Sequence, residues 1–270
     1  MSTVKSTTEK LLLEVQGNTA ILTINNPPAN TWDDESLPAL KKLIEDLNAD
    51  LDIYALVVTG QGEKFFSAGA DLNWMRAMAG NSYEDNLKDA GLLSSLMGRL
   101  DNFPKPTVVL VQGAAFAGAM GLVSCCDIAI ASSRASFCLS EVKLGLIPAV
   151  ISPYVVSAIG ARAARRYFLT AERFDAAEAL HLGLLHEVVD PEYLHARERE
   201  LVATLLANGP AATAAAKDLV FAVDRPVDDE VIRDTAERIC DIRASEEGRE
   251  GLGAFLEKRQ AAWVKGDKEC

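Results

Sequence analysis

Three short stretches combine residue types that could do chemistry. Glu141 stands in Ser140-Glu141-Val142-Lys143-Leu144-Gly145-Leu146-Ile147-Pro148, after an apolar run and among apolar neighbours. A carboxyl kept from water in such a setting has its pKa raised towards the range useful for proton transfer. A structural role is also open to it, because a glutamate at a strand end can pair with Lys143, Arg162 or Arg165. The other two stretches are glycine–alanine turns, Phe66-Ser67-Ala68-Gly69-Ala70-Asp71 and Gln112-Gly113-Ala114-Ala115-Phe116-Ala117-Gly118-Ala119-Met120-Gly121. Each leads from a strand-like run into a helix-like pattern. Small residues then sit at or near a helix N-terminus, where N–H groups lack intrahelical partners and the dipole favours negative charge. Two such N–H groups converging on one point make an oxyanion hole, and losing one donor typically costs roughly 3 kcal/mol in the transition state. The plainer reading is that small residues let a helix pack on a strand.

The elements that must position these residues are visible as periodicity. Residues 11–15 and 20–24 flank Gly17-Asn18 and predict a hairpin. Leu37, Leu40, Leu43, Ile44 and Leu47 recur at helical spacing, with Asp33 and Asp34 at the positive end and Pro38 tolerable only in the first turn. Residues 54–59 and 107–112 are uninterrupted apolar strands, and 127–131 and 136–139 predict two more. Helices are expected over 73–79 and 87–100, with Asp71 as the cap of the first. Ser152-Pro153 predicts an N-cap with proline at the first helical position, and Gly160 a break before a further helix. Asp175 caps a helix that Gly183 stops, and everything from about Glu192 onward reads as helix. The fold class is α/β with an all-helical tail.

Composition narrows the function. The chain has 270 residues, 49% hydrophobic and 24% charged, which suits a globular protein with a sizeable core. Lys plus Arg is 27 against 39 Asp plus Glu, a net charge of −12. Such a field repels phosphate backbones and anionic lipid, so neither nucleic acid nor membrane is an expected partner. A local basic patch could still hold one anionic ligand. Cys125, Cys126, Cys138, Cys240 and Cys270 form no C-x-x-C, and the first apolar run is three leucines long, so reduced thiols and a cytoplasmic setting are expected. Residues 107–126 carry no charge, yet their glycines and Gln112 read as strand, turn and helix in a buried core rather than a membrane span. His181, His186 and His195 lie near no cysteine or carboxylate at ligand spacing, so no metal is expected; P-loop, G-x-G-x-x-G, H-E-x-x-H and G-x-S-x-G are all absent.

Together, SAGAD, the second turn ahead of CCDIAIA, and Glu141 within FCLSEVKLGLIP resemble the enoyl-CoA hydratase/isomerase (crotonase) superfamily. AARRYFLTAERFDAAEALHLGLLHEVV and GLGAFLEKR extend the resemblance, in order, from about Leu11 to Lys265. It implies a crotonase-like spiral of β-β-α turns over residues 1–200, holding the acyl-CoA site. Residues 201–270 would then be a helical C-terminal trimerisation region that also contacts CoA, with trimers often paired into hexamers. It further implies that the N–H groups of Ala70 and Gly118 form the oxyanion hole and that Glu141 is the acid/base. By the same resemblance the Ala68 carbonyl receives the adenine amino group, Asp71 lies on the CoA side, and Lys258 meets the CoA of a neighbouring subunit. Trp74, Gly121 and Pro148 fall at the substrate pocket. No separate cofactor is implied, since coenzyme A is part of the substrate.

One departure matters. The best-known hydratases carry two glutamates, and the position of the first is Gly121 here. Proton removal at C2 is still open to a single carboxylate, but the group that positions water is not evident. Hydration, double-bond isomerisation and a rarer thioester reaction all stay open. Ala149-Val150-Ile151-Ser152-Pro153 replaces a glycine-rich turn, and with Asp71-Leu72-Asn73-Trp74-Met75 it is similar to bacterial 3-methylglutaconyl-CoA and isohexenylglutaconyl-CoA hydratases of leucine and acyclic-terpene breakdown. Hydration of such a branched 2-enoyl-CoA is the expected activity. The alternatives are an enoyl-CoA isomerase using the same glutamate, or an acyl-CoA- or RNA-binding protein without turnover; the acidic balance argues against RNA. Trp74 and Met75 could line the acyl tunnel or the core. Arg162, Arg165 and Arg166 could meet CoA phosphates but read better as a solvated run. Cys125 and Cys126 read as packing.

Overall fold

The structure, a computed structural model, describes residues 3–78 and 80–264. Ala79, which ends the helix expected over 73–79, lies outside the described residues, as do Lys265 and Cys270. The chain divides into two compact units, one of residues 1–103 with 107–199 and one of 104–106 with 200–270.

In the first unit, β1 (Thr3–Thr8), β2 (Leu11–Gln16) and β3 (Thr19–Ile24) form an antiparallel meander. Then come α1 (Ser36–Ala49), β4 (Ala55–Gly60), β5 (Phe65–Ser67), α2 (Leu72–Met78) and α3 (Tyr83–Asp101). They are followed by β6 (Thr107–Val111), β7 (Ala114–Phe116), α4 (Gly118–Cys125), β8 (Ile128–Ser132), β9 (Ser136–Cys138) and α5 (Ser152–Thr170). β10 (Phe174–Asp175), α6 (Ala176–His181) and β11 (Glu187–Val189) complete the strands. The larger sheet has the order β1-β2-β3-β4-β6-β8-β11, parallel from β3 onward; the smaller has the order β10-β9-β7-β5. Each successive turn lays one strand in the larger sheet, the next in the smaller, and then a helix. This is the expected spiral of β-β-α turns.

The apolar runs behave as their composition requires: β4 and β6 are buried along their whole length. The uncharged stretch 107–126 becomes β6, β7 and α4. β5 and β7 were not expected as strands, because three residues are too few to show a period of two. Asp33 does serve α1, by accepting the Ser36 N–H at 2.9 Å while its own N–H donates to Ser36 Oγ at 2.9 Å. Gly160 breaks α5 at φ 73°, as expected. Ser152 is not the N-cap of α5, however. Its hydroxyl donates back to the Ala149 carbonyl at 2.8 Å, which leaves Ile151 in the cap position. Asp175 caps α6 by accepting the Glu178 N–H at 2.9 Å. Arg166 pairs with Glu172, while Arg162 and Arg165 are exposed. His186 accepts the Ala129 N–H at Nδ1 (3.1 Å), a structural task.

α7 (Leu194–Leu206) runs from the first unit into the second, which contains α8 (Pro210–Val223), α9 (Asp229–Ala244) and α10 (Glu246–Glu257). Glu247 receives the Ala211 and Ala212 N–H groups at 2.9 and 2.7 Å, placing a carboxylate on the positive end of α8. Arg259 and the Ala262 N–H hold the Glu250 carboxyl down at about 2. Among the described residues, no helix is long and apolar enough to cross a membrane, and no group of three or more His, Cys, Asp or Glu could hold a metal ion.

Candidate active site

The first glycine–alanine turn leaves β5 at Ser67. The Ala68 N–H donates to the Ala29 carbonyl at 2.9 Å, and the Gly69 N–H to Ser67 Oγ at 3.2 Å. Trp32 then pairs with Ala70 in an isolated parallel bridge: the Trp32 N–H donates to the Gly69 carbonyl (2.9 Å) and the Asp71 N–H to the Trp32 carbonyl (2.7 Å). These bonds use the backbone groups on either side of Ala70. The Ala70 N–H points to the opposite edge, because successive peptide groups in extended chain alternate, and it has no partner among the described residues. Asp71 caps α2 by accepting the Asn73 and Trp74 N–H groups at 2.8 and 3.2 Å.

The second turn leaves β7 at Phe116. The Ala117 N–H donates to the Cys138 carbonyl at 2.9 Å, fastening the turn to β9. Ala117 has φ 50° and ψ −126°, a conformation that costs a non-glycine residue on the order of 1–3 kcal/mol. That bend starts α4 at Gly118, whose N–H has no acceptor within the helix and none elsewhere among the described residues. The two turns touch. A Cβ placed on Gly69 (φ +84°) would lie 3.4 Å from the Gly118 nitrogen and 3.2 Å from the Phe116 oxygen. Trp32 braces both turns, by backbone to Gly69 and Asp71 and by its ring to Gly118, where a Cβ would lie 3.0 Å from Cζ3. Its own indole N–H is buried without a partner. Sequence reasoning missed Trp32. The only signal was a large aromatic residue in a strand-to-helix connection, beside Asn30 at φ 52°, whose amide ties the connection to the Gln61 and Phe65 carbonyls.

Glu141 follows β9 and opens a single 3-10 turn, Glu141–Leu144, closed by Gly145 at φ 73°. Its Oε2 is buried without a partner, and no ion pair from Lys143, Arg162 or Arg165 reaches it. Burial pushes the carboxyl's pKa up, while its own backbone N–H pulls the other way. The desolvated reading therefore prevails over the paired one.

Ala68, Ala70, Gly118, Glu141, Trp74 and Pro148 line one cleft of about 480 Å³. Leu72, Leu144, Leu146 and Ile147 line it too and remain exposed. Glu141 is the one ionisable side chain on this wall among the described residues. Three expected site residues lie elsewhere. Asp71 is spent on capping α2. Gly121 is buried inside α4 behind Ile151, which takes its place on the cleft wall. Lys258 is exposed in the second unit, in left-handed conformation at the end of α10 (φ 56°). Two unpaired N–H groups can hold a thioester oxygen as it gains charge, and a desolvated carboxyl with a bare Oε2 can exchange a proton at the adjacent carbon.

Comparison with known proteins agrees with that chemistry. The family model for enoyl-CoA hydratase/isomerase matches residues 14–266. The chain is 32% identical to the short-chain-enoyl-CoA hydratase of Clostridium acetobutylicum over 253 residues, covering 93% of this chain and 95% of that one. It is 31% identical to the crotonyl-CoA hydratase of Syntrophomonas wolfei over 264 residues, 95% and 98% of the two chains. Its structure is similar to that of an enoyl-CoA hydratase from Shewanella pealeana, with a TM-score of 0.91 and 49% identity over 94% of this chain and 96% of that one. A fold, a cleft and a family match that span nearly the whole chain lead to one conclusion: it belongs to the enoyl-CoA hydratase/isomerase family of enzymes.

Proposed function

We propose that the protein adds water to a 2-enoyl-CoA thioester, or removes it in reverse, with Glu141 as the sole acid–base residue. The observation that carries this is a desolvated carboxyl, with no partner on Oε2, lining the same cleft as the unpaired N–H groups of Ala70 and Gly118. The N–H pair stabilises the enolate oxygen; the Glu141 carboxylate takes a proton from water as the water oxygen adds to C3 and delivers it to C2, and in reverse it takes the C2 proton and gives it to the departing hydroxyl. Ala68 offers its carbonyl to the adenine, and Lys258 gives a cation to the CoA of a neighbouring copy in a homotrimer or hexamer. Cys125, Cys126 and Cys138 are buried reduced thiols, which suits a cytoplasmic setting.

The acyl group we infer is branched and mostly apolar beyond C3. The hydrocarbon branches of 3-methylglutaconyl-CoA and isohexenylglutaconyl-CoA suit the wall of Leu72, Trp74, Met75 and Ile147. Their distal carboxylate meets no cation on that wall among the described residues, so it stays hydrated, where it can help to position water.

A second reading is favoured by one specific observation: the place of a second carboxylate is filled by Ile151. An enoyl-CoA isomerase needs only one base and no water. The deciding experiment follows loss of the conjugated thioester absorbance with 3-methylglutaconyl-CoA and crotonyl-CoA, together with product masses. The expected product carries the mass of water, and Glu141→Gln lowers the rate by about 10²–10⁴-fold. Full activity in Glu141→Gln would sink the proposal, and a product of unchanged mass with a moved double bond would select the isomerase.

A further inference from the structure

A second cavity, of about 680 Å³, lies on the larger sheet and shares no lining residue with the catalytic cleft. Leu13, Leu22, Leu56, Val58 and Val109 point from that sheet into the hydrophobic core. Their neighbours in sequence necessarily point the other way, and Ile21, Val57 and Leu110 form a hydrocarbon floor on this opposite face. Thr23 and Thr59, directly opposite each other on β3 and β4, add hydroxyls to the floor. The first turns of α7 close the cavity with Leu194, His195, Glu198 and Arg199, all within the first unit.

Glu198 is the unusual member of this wall. It is only 7% exposed, yet no hydrogen bond or ion pair reaches its carboxyl among the described residues. The adjacent Arg197 is engaged elsewhere, gripping Glu187 through two bonds of 2.6 and 2.7 Å. Water reaches its oxygens from the cavity, so a donor arriving there has only solvent to displace. The rest of the wall says what that donor should be. Glu14, Glu63 and Glu192 add carboxylates, against Arg199 and an Arg134 that already faces Glu63 at 4.0 Å. This surplus of acceptors, in a chain of net charge −12, selects a cation. A metal ion is a poor fit, because no group of three or more His, Cys, Asp or Glu among the described residues could hold one.

We propose that this cavity binds a small primary alkylammonium ion, with its nitrogen on Glu198 and its hydrocarbon stem on Ile21, Val57 and Leu110. An ammonium brings three donors and one charge to a carboxyl that has none, and the floor takes methylene groups out of water.

The test is calorimetric titration of the full chain with pentylamine, beside pentanol and pentanoate as probes of the same length. The expected result is saturable binding of pentylamine, with the alcohol and the carboxylate at least about tenfold weaker. Glu198→Gln should weaken pentylamine about tenfold or more, melt no lower than the wild type and keep its enoyl-CoA activity. That last readout separates this inference from the proposed hydration. Absence of pentylamine binding, equal binding of pentanol, or unchanged affinity in Glu198→Gln would each overturn it. A cavity covered by a second copy in solution would appear as absence of binding.

Discussion

Ile151 occupies the space that any side chain at Gly121 would need. A Cβ at position 121 would overlap Ile151 Cγ2 and come within 2.8 Å of Met97 Sδ. Gly121 thus differs from a hydratase glutamate in more than identity, since the surrounding core has been built to fit glycine. Ile151 lines the cleft on one side and plugs α4 on the other.

Gly121→Glu is therefore expected to destabilise the protein by about 3 kcal/mol or more, from overpacking and from a buried charge without a partner. Urea midpoints check this. The double variant Gly121→Glu with Ile151→Ala should recover more than about 1 kcal/mol of the sum of the two single losses, because the sites share one space. Simple additivity of the losses would show that Ile151 is not the obstacle.

Glu141 predicts a dependence of stability on pH. Burial raises its folded pKa above the ordinary value near 4.5. The contribution of such a group is fully present below the unfolded value and is lost as pH rises through the raised folded value. Glu141→Gln stays neutral throughout. It should therefore be more stable than the wild type at neutral pH, and the advantage should vanish below about pH 4.5. Thermal melts across that window read the difference, and a variant less stable than the wild type at neutral pH would contradict a desolvated carboxyl. In the wild type, kcat/KM should decline on the acid side, where the base is protonated.

Gly69 links stability to catalysis through the contact between the two turns. Gly69→Ala places a methyl 3.2 Å from the Phe116 oxygen and 3.4 Å from the Gly118 nitrogen, at φ +84°. The expected loss is about 1–3 kcal/mol of stability together with about tenfold or more in kcat. Gly17 provides the control, with φ +60° and open space around its Cβ. Gly17→Ala should cost about 1 kcal/mol and leave kcat unchanged. Equal kcat values for the two variants would show that the Gly118 N–H does not depend on the Gly69 contact.

Much of this protein was legible in its sequence, because the signals involved are local. The buried strands β4, β6 and β8 announce themselves by apolar runs, the break at Gly160 by one residue type, and the cap at Asp175 by a side chain three residues from the N–H it accepts. The segments carrying Ala70, Gly118 and Glu141 were likewise visible as motifs in order along the chain. The sequence by itself therefore determined the α/β class and which stretches could do chemistry, and the family resemblance those stretches carry implied the spiral. Only the tertiary structure decided their relations. It set the contact of Gly69 with Gly118, the brace of Trp32 across both turns, the filling of Gly121 by Ile151 and the bare Oε2 of Glu141. The smaller sheet belongs with these, since β5 and β7 are held by partners rather than by length. Contacts between residues far apart in the chain leave no periodicity within either segment. They are fixed only when close packing lets one side chain claim a space and denies it to another.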